Sequence, residues 1–474
     1  MNWNKLRSSV FVSCLALTTG VALAAPSKKS SGATDRKEVS ITVYNQDFGL
    51  VREVRELDLG TGQVALAFKD VASQIQPETV SIKAAGGGLN VLEQNYRFDL
   101  LTPAKLLEKH VGKRVKLHRY NERLGKEENF DAELLSVAEG SPVYKIGNEI
   151  TYGFPGRVSF PGVPDNLMSK PTLVWLLDSK RAKQRVEVTY LTRAMTWKAD
   201  YVFVINDKDT LGDLTGWVTL NNRSGASYDG ARLKLVAGDV QRVSTGNMRL
   251  PRSAPAPQGG SGARFQEESF FEYHLYSLAQ PTDVLENEQK QVTLLEAQNA
   301  KVQKKLIYYG QQYWYRGRYG EVQKNQKVGV YLDLENTKPN GLGIPLPKGV
   351  VRVYKADKSG AKQFIGEDHI DHTPRDERVR IKMGEAFDIV GDRKQMAWRT
   401  LGSCVSESEW EIELRNHKDT AEQVEIFEPI GGDWTVLDST HPHRKKDAFT
   451  FTFDVKVPAR GKTKIKYRVR VRWC

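Results

Sequence analysis

Cysteine is scarce in this chain, with three residues in 474. So few thiols exclude a disulfide-dense secreted scaffold. With Cys14 set aside in the N-terminal segment, the remaining two are too few for a cysteine-rich zinc site. Long apolar runs are missing as well. Beyond residue 24 none approaches the roughly 20 residues that a membrane helix requires. Catalytic signatures are the third absence: Ser224 in NRSGASYDG lacks the G-x-S-x-G spacing of a nucleophile elbow, and its Asn, Gly and Asp content reads as an inter-strand turn. These absences exclude classes of protein without naming an activity.

What is present begins with an export signal. Lys5 and Arg7 form a short basic region, an apolar stretch runs from Val10 to Leu23, and Ala22-Leu23-Ala24 supplies a small-x-small cleavage pattern. The expectation is a protein exported to the periplasm or beyond, cut after Ala24, with no transmembrane segment afterwards. Cleavage leaves 450 residues, enough for two to four domains. Loss of Lys5 and Arg7 lowers the formal charge from +12 to +10. A basic exported protein meets polyanionic envelope surfaces more readily than nucleic acid. The expected partner is therefore an envelope protein or glycan and not nucleic acid, and no cofactor is expected.

The chain beyond is patterned for β-structure. Residues 25–38 are small and polar and read as a flexible leader. From Val39, VSITVYN, LVREVREL, QVALAF and TVSIKA are short β-branched runs between turn residues. One helix is expected, over 103–111, with Thr102 at the N-cap, Pro103 at the first helical position and Gly112 past the end. KRVKLHRY, FDAELLSVA and GNEITYGFPGRVSFPG then form a small, tightly turned β module, so 39–165 is one N-terminal β region. A central β domain follows over 171–400, with LVWLL, QRVEVTYL, WKADYVFVI and GWVTLNN at antiparallel-sandwich spacing. It is interrupted by a Pro/Gly/Ser-rich excursion at 246–268. Residues 281–305 favour helix by composition, but their apolar spacing makes a poor helical stripe, and VTLL and LIYY read as strand. The fold class is mainly β: a multi-domain antiparallel β-sandwich architecture with one short helix and an Ig-like C-terminal sandwich over 401–474.

The last strand carries the clearest pattern. Lys462, Lys464, Lys466, Arg468, Arg470 and Arg472 occupy one face, and Ile465, Tyr467, Val469, Val471 and Trp473 the other. Upstream, Glu407, Glu409, Glu411 and Glu413 alternate with Trp410, Ile412 and Leu414. Pairing the two strands antiparallel sets acid opposite base, so the basic row reads as a neutralised sheet face, not a polyanion site. That pairing also brings together the strand ends bearing Cys404 and Cys474, and a disulfide is expected. Strict alternation places Cys404 opposite Trp473, so a bulge near Gly402-Ser403 or a turned C-terminus must shift the register by one.

TYLTRAMTWKADYVFVI, LTGWVTLNNRSGASYDGARLKLVAGDVQRV, FFEYHLYSL, PLPKGVVRVYKAD, IGEDHIDHTPRDERVRIKMGEAFDIV and EIELRNHKDTAEQVEIFEPIGGDW together resemble the bacterial family catalogued as domain of unknown function 4139. The resemblance covers about 171–474, and YNQDFGLVREVREL resembles the region that often precedes it. Ala199 and Ala279-Gln280 depart from the usual pattern. The resemblance implies no activity, substrate or catalytic residue.

Three segments offer candidate chemistry. Asp368, His369, Asp371 and His372 in GEDHIDHTP are ligand types suited to a divalent metal or an acid/base pair, as in a metal-dependent hydrolase. On a strand, however, residues three apart face opposite sides, and a polar turn with His372 or Asp371 bonded to backbone is the simpler reading. In IYYGQQYWYRGRYG, Tyr308, Tyr309, Tyr313, Trp314, Tyr315 and Tyr319 interleave with Arg316 and Arg318, a pattern that stacks sugars, lines an interface, or packs as a hairpin. His441 and His443 in THPHRKK suit a metal as well, although an exposed loop with a Pro turn is the simpler reading. An exported, non-enzymatic binding scaffold accounts for all of this better than an enzyme does.

Overall fold

Alternating β-branched and aromatic residues make this chain a succession of strands. The computed structural model describes residues 25–97, 99–138, 141–164, 167–168, 170–238, 240–242, 265–320 and 322–474. Pro103–Lys109 is the one α-helix among them. Thr102 caps it by accepting from Lys105 N at 3.2 Å, and Gly112, at φ +77°, makes the turn that follows. No described helix is long and apolar enough to cross a membrane. The signal segment 1–24 and the part of the excursion over 246–264 lie outside the described residues, whereas Phe265–Phe270 forms a strand.

The chain divides into two compact units, each assembled from separated stretches: 1–37, 54–71 and 82–187 in one, and 38–53, 72–81 and 188–474 in the other. The blocks 39–165 and 171–400 are therefore not the folding units. Strands far apart in the chain pair with one another, and composition at a boundary carries no record of such pairing.

The first unit holds a four-stranded sheet in the order Ser27–Ser31, Gly62–Lys69, Thr172–Ser179, Leu89–Arg97. Its first strand corrects the flexible leader: Ser27 to Ser31 pair in parallel with Val64 to Phe68. An edge strand is held by main-chain bonds, which small polar side chains permit as well as apolar ones do. Val64, Leu66, Phe68, Leu173, Trp175 and Leu177 are buried on one face. The same unit contains the expected small module, a five-stranded sheet from Arg114 to Ser159 around Val115, Leu117, Ala132, Leu134 and Tyr144.

The second unit contains a 13-stranded sheet whose main path runs Lys362–Ile370, Gly349–Ala356, Met195–Ile205, Leu211–Asn222, Glu288–Tyr309, Gln323–Glu335, Arg378–Thr400, Val405–Asn416, Lys462–Arg472, Asp433–Ser439. A branch leaves Glu288–Tyr309 through Glu422–Pro429 to Thr450–Val457 and His443–Asp447. Residues 281–305 form no helix: Thr282–Val284 and Glu288–Tyr309 are strands joined by a turn, as the apolar pattern indicates. The pattern is irregular because the pairing with Leu211–Asn222 shifts register twice and Asn299 sits at φ +52°.

No boundary separates 400 from 401. Arg378–Thr400 pairs with Val405–Asn416 over most of its second half, and the C-terminal core recruits Leu306, Tyr308, Val328, Ala386 and Ile389. The C-terminal 74 residues are thus half of a sandwich whose other strands come from the supposed central domain.

At the C-terminus the acid–base register is the one the alternation requires. Glu407 pairs with Arg470, Glu411 with Lys466 and Glu413 with Lys464. Arg470 reaches Glu407 at 2.6 Å, Lys466 reaches Glu411 at 3.1 Å, and Lys464 reaches Glu413 at 3.3 Å. The two strands stop at Val405 and Arg472; Cys404 lies in a bend, and Trp473 N still donates to Cys404 O at 2.9 Å. Cys474 is then one residue past the ladder and turns back, so the two cysteines lie at disulfide distance with Cα atoms 5.8 Å apart.

Candidate functional site

The metal reading of 368–372 does not survive folding. Asp368 and His369 are neighbours on the Lys362–Ile370 strand and point to opposite faces, while Asp371 and His372 lie beyond its end. Asp368 accepts from Lys382 N at 2.6 Å and His369 N at 2.9 Å, and His369 and Asp371 are exposed. His372 Nδ1 accepts from Lys348 N at 3.2 Å, the backbone role of the simpler reading. Among the described residues no three His, Cys, Asp or Glu side chains converge. His372→Ala is expected to cost about 1 kcal/mol in stability, the worth of one hydrogen bond, and to leave the metal content of the purified protein unchanged; elemental analysis beside a denaturation curve checks both.

The aromatic segment is split between interior and surface. Tyr308, Trp314 and Tyr315 are buried, which corrects their assignment to a binding surface. Gln312–Arg316 forms a short 3-10 turn that drives Trp314 and Tyr315 inward and leaves Tyr313 and Arg316 outside. Arg318 and Tyr309 are also exposed, and Arg316 lies 5.2 Å over the Trp473 ring.

What the buried aromatics surround is an ion pair absent from the sequence reading. Arg393 and Glu428 are both 0% exposed and hydrogen-bonded to each other through both Arg393 terminal nitrogens. Tyr315 donates to Glu428 at 2.6 Å, Arg393 donates to the Tyr467 hydroxyl at 3.0 Å, and the Tyr315 and Tyr467 oxygens are 2.8 Å apart. The Arg393 guanidinium lies 4.6 Å from the Trp314 ring centre and 5.6 Å from that of Trp410. Burial, the largest single influence, would lower the guanidinium pKa, but Glu428 together with Tyr467, Tyr308 and Tyr315 outweighs it and holds Arg393 well above its usual range. Burial pushes Tyr308 up to about 12. Sealed from water, this group is architectural. Its only trace in the sequence is the aromatic cluster itself, since nothing marks Arg393 or Glu428 among the chain's other charges.

The accessible site lies on the outer face of the same sheet. In Glu288–Tyr309 the even residues Leu306 and Tyr308 face the core, so Lys305 and Tyr309 face out. By the same alternation Glu425 and Phe427 point outward from Glu422–Pro429, opposite Asp454 and Thr452, and Arg444 points outward opposite Thr452. A register shift between Lys445 and Asp447 leaves Lys446 beside them. Arg378 and Arg380 complete the group from Arg378–Thr400. Together Lys305, Arg378, Arg380, Glu425, Phe427, Arg444, Lys446 and Thr452 line a cleft of about 280 Å³.

Five cations and one carboxylate thus line this cleft. Asp333 holds Arg380 at 2.7 Å and Arg378 at 3.7 Å, while Arg444 reaches Glu425 at 3.4 Å and Asp454 at 3.0 Å. Lys305 and Lys446 have no carboxylate within ion-pair distance among the described residues; Lys446 instead sits 4.0 Å over the Phe427 ring. Burial, followed by the like charges of Arg380 and Arg378, lowers the Lys446 pKa from its ordinary value despite Glu425 and Asp447 nearby. The sequence carried a hint in the HRKK run, read there as an exposed loop; the short strand His443–Asp447 gives that run its direction.

No protein-family model matches the chain, and no curated protein matches it.

Proposed function

We propose that this chain is an exported, non-enzymatic β-scaffold of the bacterial cell envelope that binds a polyanionic envelope partner. The observation that carries the reading is the contrast between two basic surfaces in one sheet. On the Lys462–Arg472 strand, Lys462, Lys464, Lys466 and Arg470 are paired with glutamates. In the Lys305–Lys446 cleft, cations from three strands converge on one lining carboxylate. Concentrating like charge around a concavity costs self-repulsion, which an anionic ligand relieves. The signal-like N-terminus and the cysteine pair at disulfide distance support the same setting.

Two measurements test this. Protein recovered from the exported fraction is expected to begin at Ala25 by intact-mass spectrometry; Met1 retained in cytosolic material would defeat the export step. Purified residues 25–474 are expected to sediment with isolated envelope fragments in low salt and to be released as ionic strength rises, because charges more than about 8–10 Å apart are screened at physiological salt. Protein that stays in the supernatant at every salt concentration would refute envelope binding.

A further inference from the structure

We propose that the cleft between Lys305 and Lys446 is a binding site for a phosphate-monoester group carried on a saccharide. The inference rests on the reading of the chain as a binding scaffold and names the ligand chemistry of its cleft.

The geometry separates a phosphate monoester from other anions. A carboxylate offers one charge and two oxygens, a match for a single guanidinium. A phosphate monoester carries nearly two charges and three terminal oxygens, and suits donors fanned around a concavity. Here the donors arrive from Glu288–Tyr309 and Arg378–Thr400 on one side of Glu425 and Phe427 and from His443–Asp447 on the other. Arg380 is already oriented by two bonds to Asp333 at 2.7 and 2.8 Å, so the guanidinium is fixed before a ligand arrives. Lys305 and Lys446 are the donors with no carboxylate to give up among the described residues.

The saccharide part follows from what borders the charge. The Phe427 ring lies under Lys446. Tyr309, 40% exposed, has its ring 5.2 Å from that of Phe427 and interacts electrostatically with Arg380 and Glu425. A flat aromatic at the rim of a basic cleft stacks against a sugar ring while the phosphate enters. The carboxylate of Glu425, 16% exposed in the lining, accepts hydrogen bonds from sugar hydroxyls and would repel a second phosphate. The cleft of about 280 Å³ has room for one phosphorylated sugar, near the lower end of small-molecule sites. An extended polyphosphate backbone would need a stripe of cations, and in the stripe on Lys462–Arg472 four of the six cations are bridged to glutamates.

Calorimetric titration of residues 25–474 with glucose 6-phosphate, inorganic phosphate and glucose decides the matter. Glucose 6-phosphate is expected to bind with a Kd of about 1 mM or tighter, inorganic phosphate about tenfold more weakly, and glucose not at all. Lys305→Met and Lys446→Met keep the aliphatic stems and remove the charges. Each is expected to weaken glucose 6-phosphate binding about tenfold, the worth of one charge-assisted hydrogen bond, with an unchanged thermal transition. Lys464→Met, on the paired row, is expected to leave binding intact. Absence of binding by both phosphate ligands, or unchanged affinity in the Lys305→Met/Lys446→Met protein, overturns the site. Equal affinity for inorganic phosphate and glucose 6-phosphate overturns the saccharide assignment. Sedimentation with envelope fragments that persists in that double variant would leave the scaffold reading standing while this inference fails.

Discussion

Glu428→Ala is expected to destabilise the C-terminal sandwich by about 3–5 kcal/mol. The reason is what remains after the carboxylate is removed. Arg393 would stay fully buried with its charge facing Tyr308, Trp314, Trp410 and Tyr467. Aromatic faces and one hydroxyl recover only part of the desolvation cost of a guanidinium. Tyr315 would also lose its 2.6 Å acceptor, though it keeps the Tyr467 hydroxyl. Replacing both charges behaves differently: Arg393→Met with Glu428→Leu is expected to recover most of the loss, because a well-packed apolar pair avoids the burial cost altogether. Trp314 and Trp410 lie beside Arg393, so their fluorescence during denaturant unfolding reports this part of the molecule directly. A loss below about 1 kcal/mol for Glu428→Ala would show that the buried charge of Arg393 is compensated elsewhere.

The second large effect is expected at the C-terminus. Denatured, unreduced protein is expected to show no free thiol, with a peptide crosslinking Cys404 to Cys474 in the digest; two free thiols per chain would refute the bond. The two cysteines are separated by 70 residues, and closing a loop of that length removes unfolded-state entropy worth about 4 kcal/mol in the chain-entropy account. Cys404→Ser with Cys474→Ser is therefore expected to cost about 2–4 kcal/mol, the usual return from such a crosslink. The loss is expected in the same unfolding transition as that of Glu428→Ala, because the crosslinked strands carry Trp410 and Tyr467 of the same core. The two effects touch no common residue but share the Val405–Asn416 and Lys462–Arg472 ladder, so additivity of the combined variants is a further check on how tightly that sandwich coheres.

The places where sequence reading succeeded share one physical property: the decisive interaction is local or periodic. Thr102-Pro103 and Gly112 specify a helix end to end within ten residues. The Glu row and the Lys/Arg row specify each other's register, because a slip by one would bury every charge and expose Ile412, Ile465 and Val469. Residues 281–305 could be read as strand from their apolar pattern even though their composition favours helix. The failures share a different property. The leader 25–38 looked unstructured because its side chains are small and polar, yet Ser27–Ser31 is held by main-chain pairing to a strand more than 30 residues away, which leaves no mark on side-chain choice. The break placed at 400/401 failed because Arg378–Thr400 pairs with Gln323–Glu335 on one side and with Val405–Asn416 on the other, so one sheet runs through both blocks.

The amino-acid sequence by itself determined that this is a β protein, where its one helix lies, how its acidic and basic strands pair, and that its two remaining cysteines lie near one another in space. Each follows from alternation, capping or charge pattern along a single stretch. Tertiary structure alone decided which aromatics are interior, that Arg393 and Glu428 meet among them, and that Lys305, Arg378, Arg380, Arg444 and Lys446 share one cleft. Those residues come from strands up to 141 positions apart, Lys305 to Lys446. Nothing in a strand's own pattern states which other strand will lie beside it.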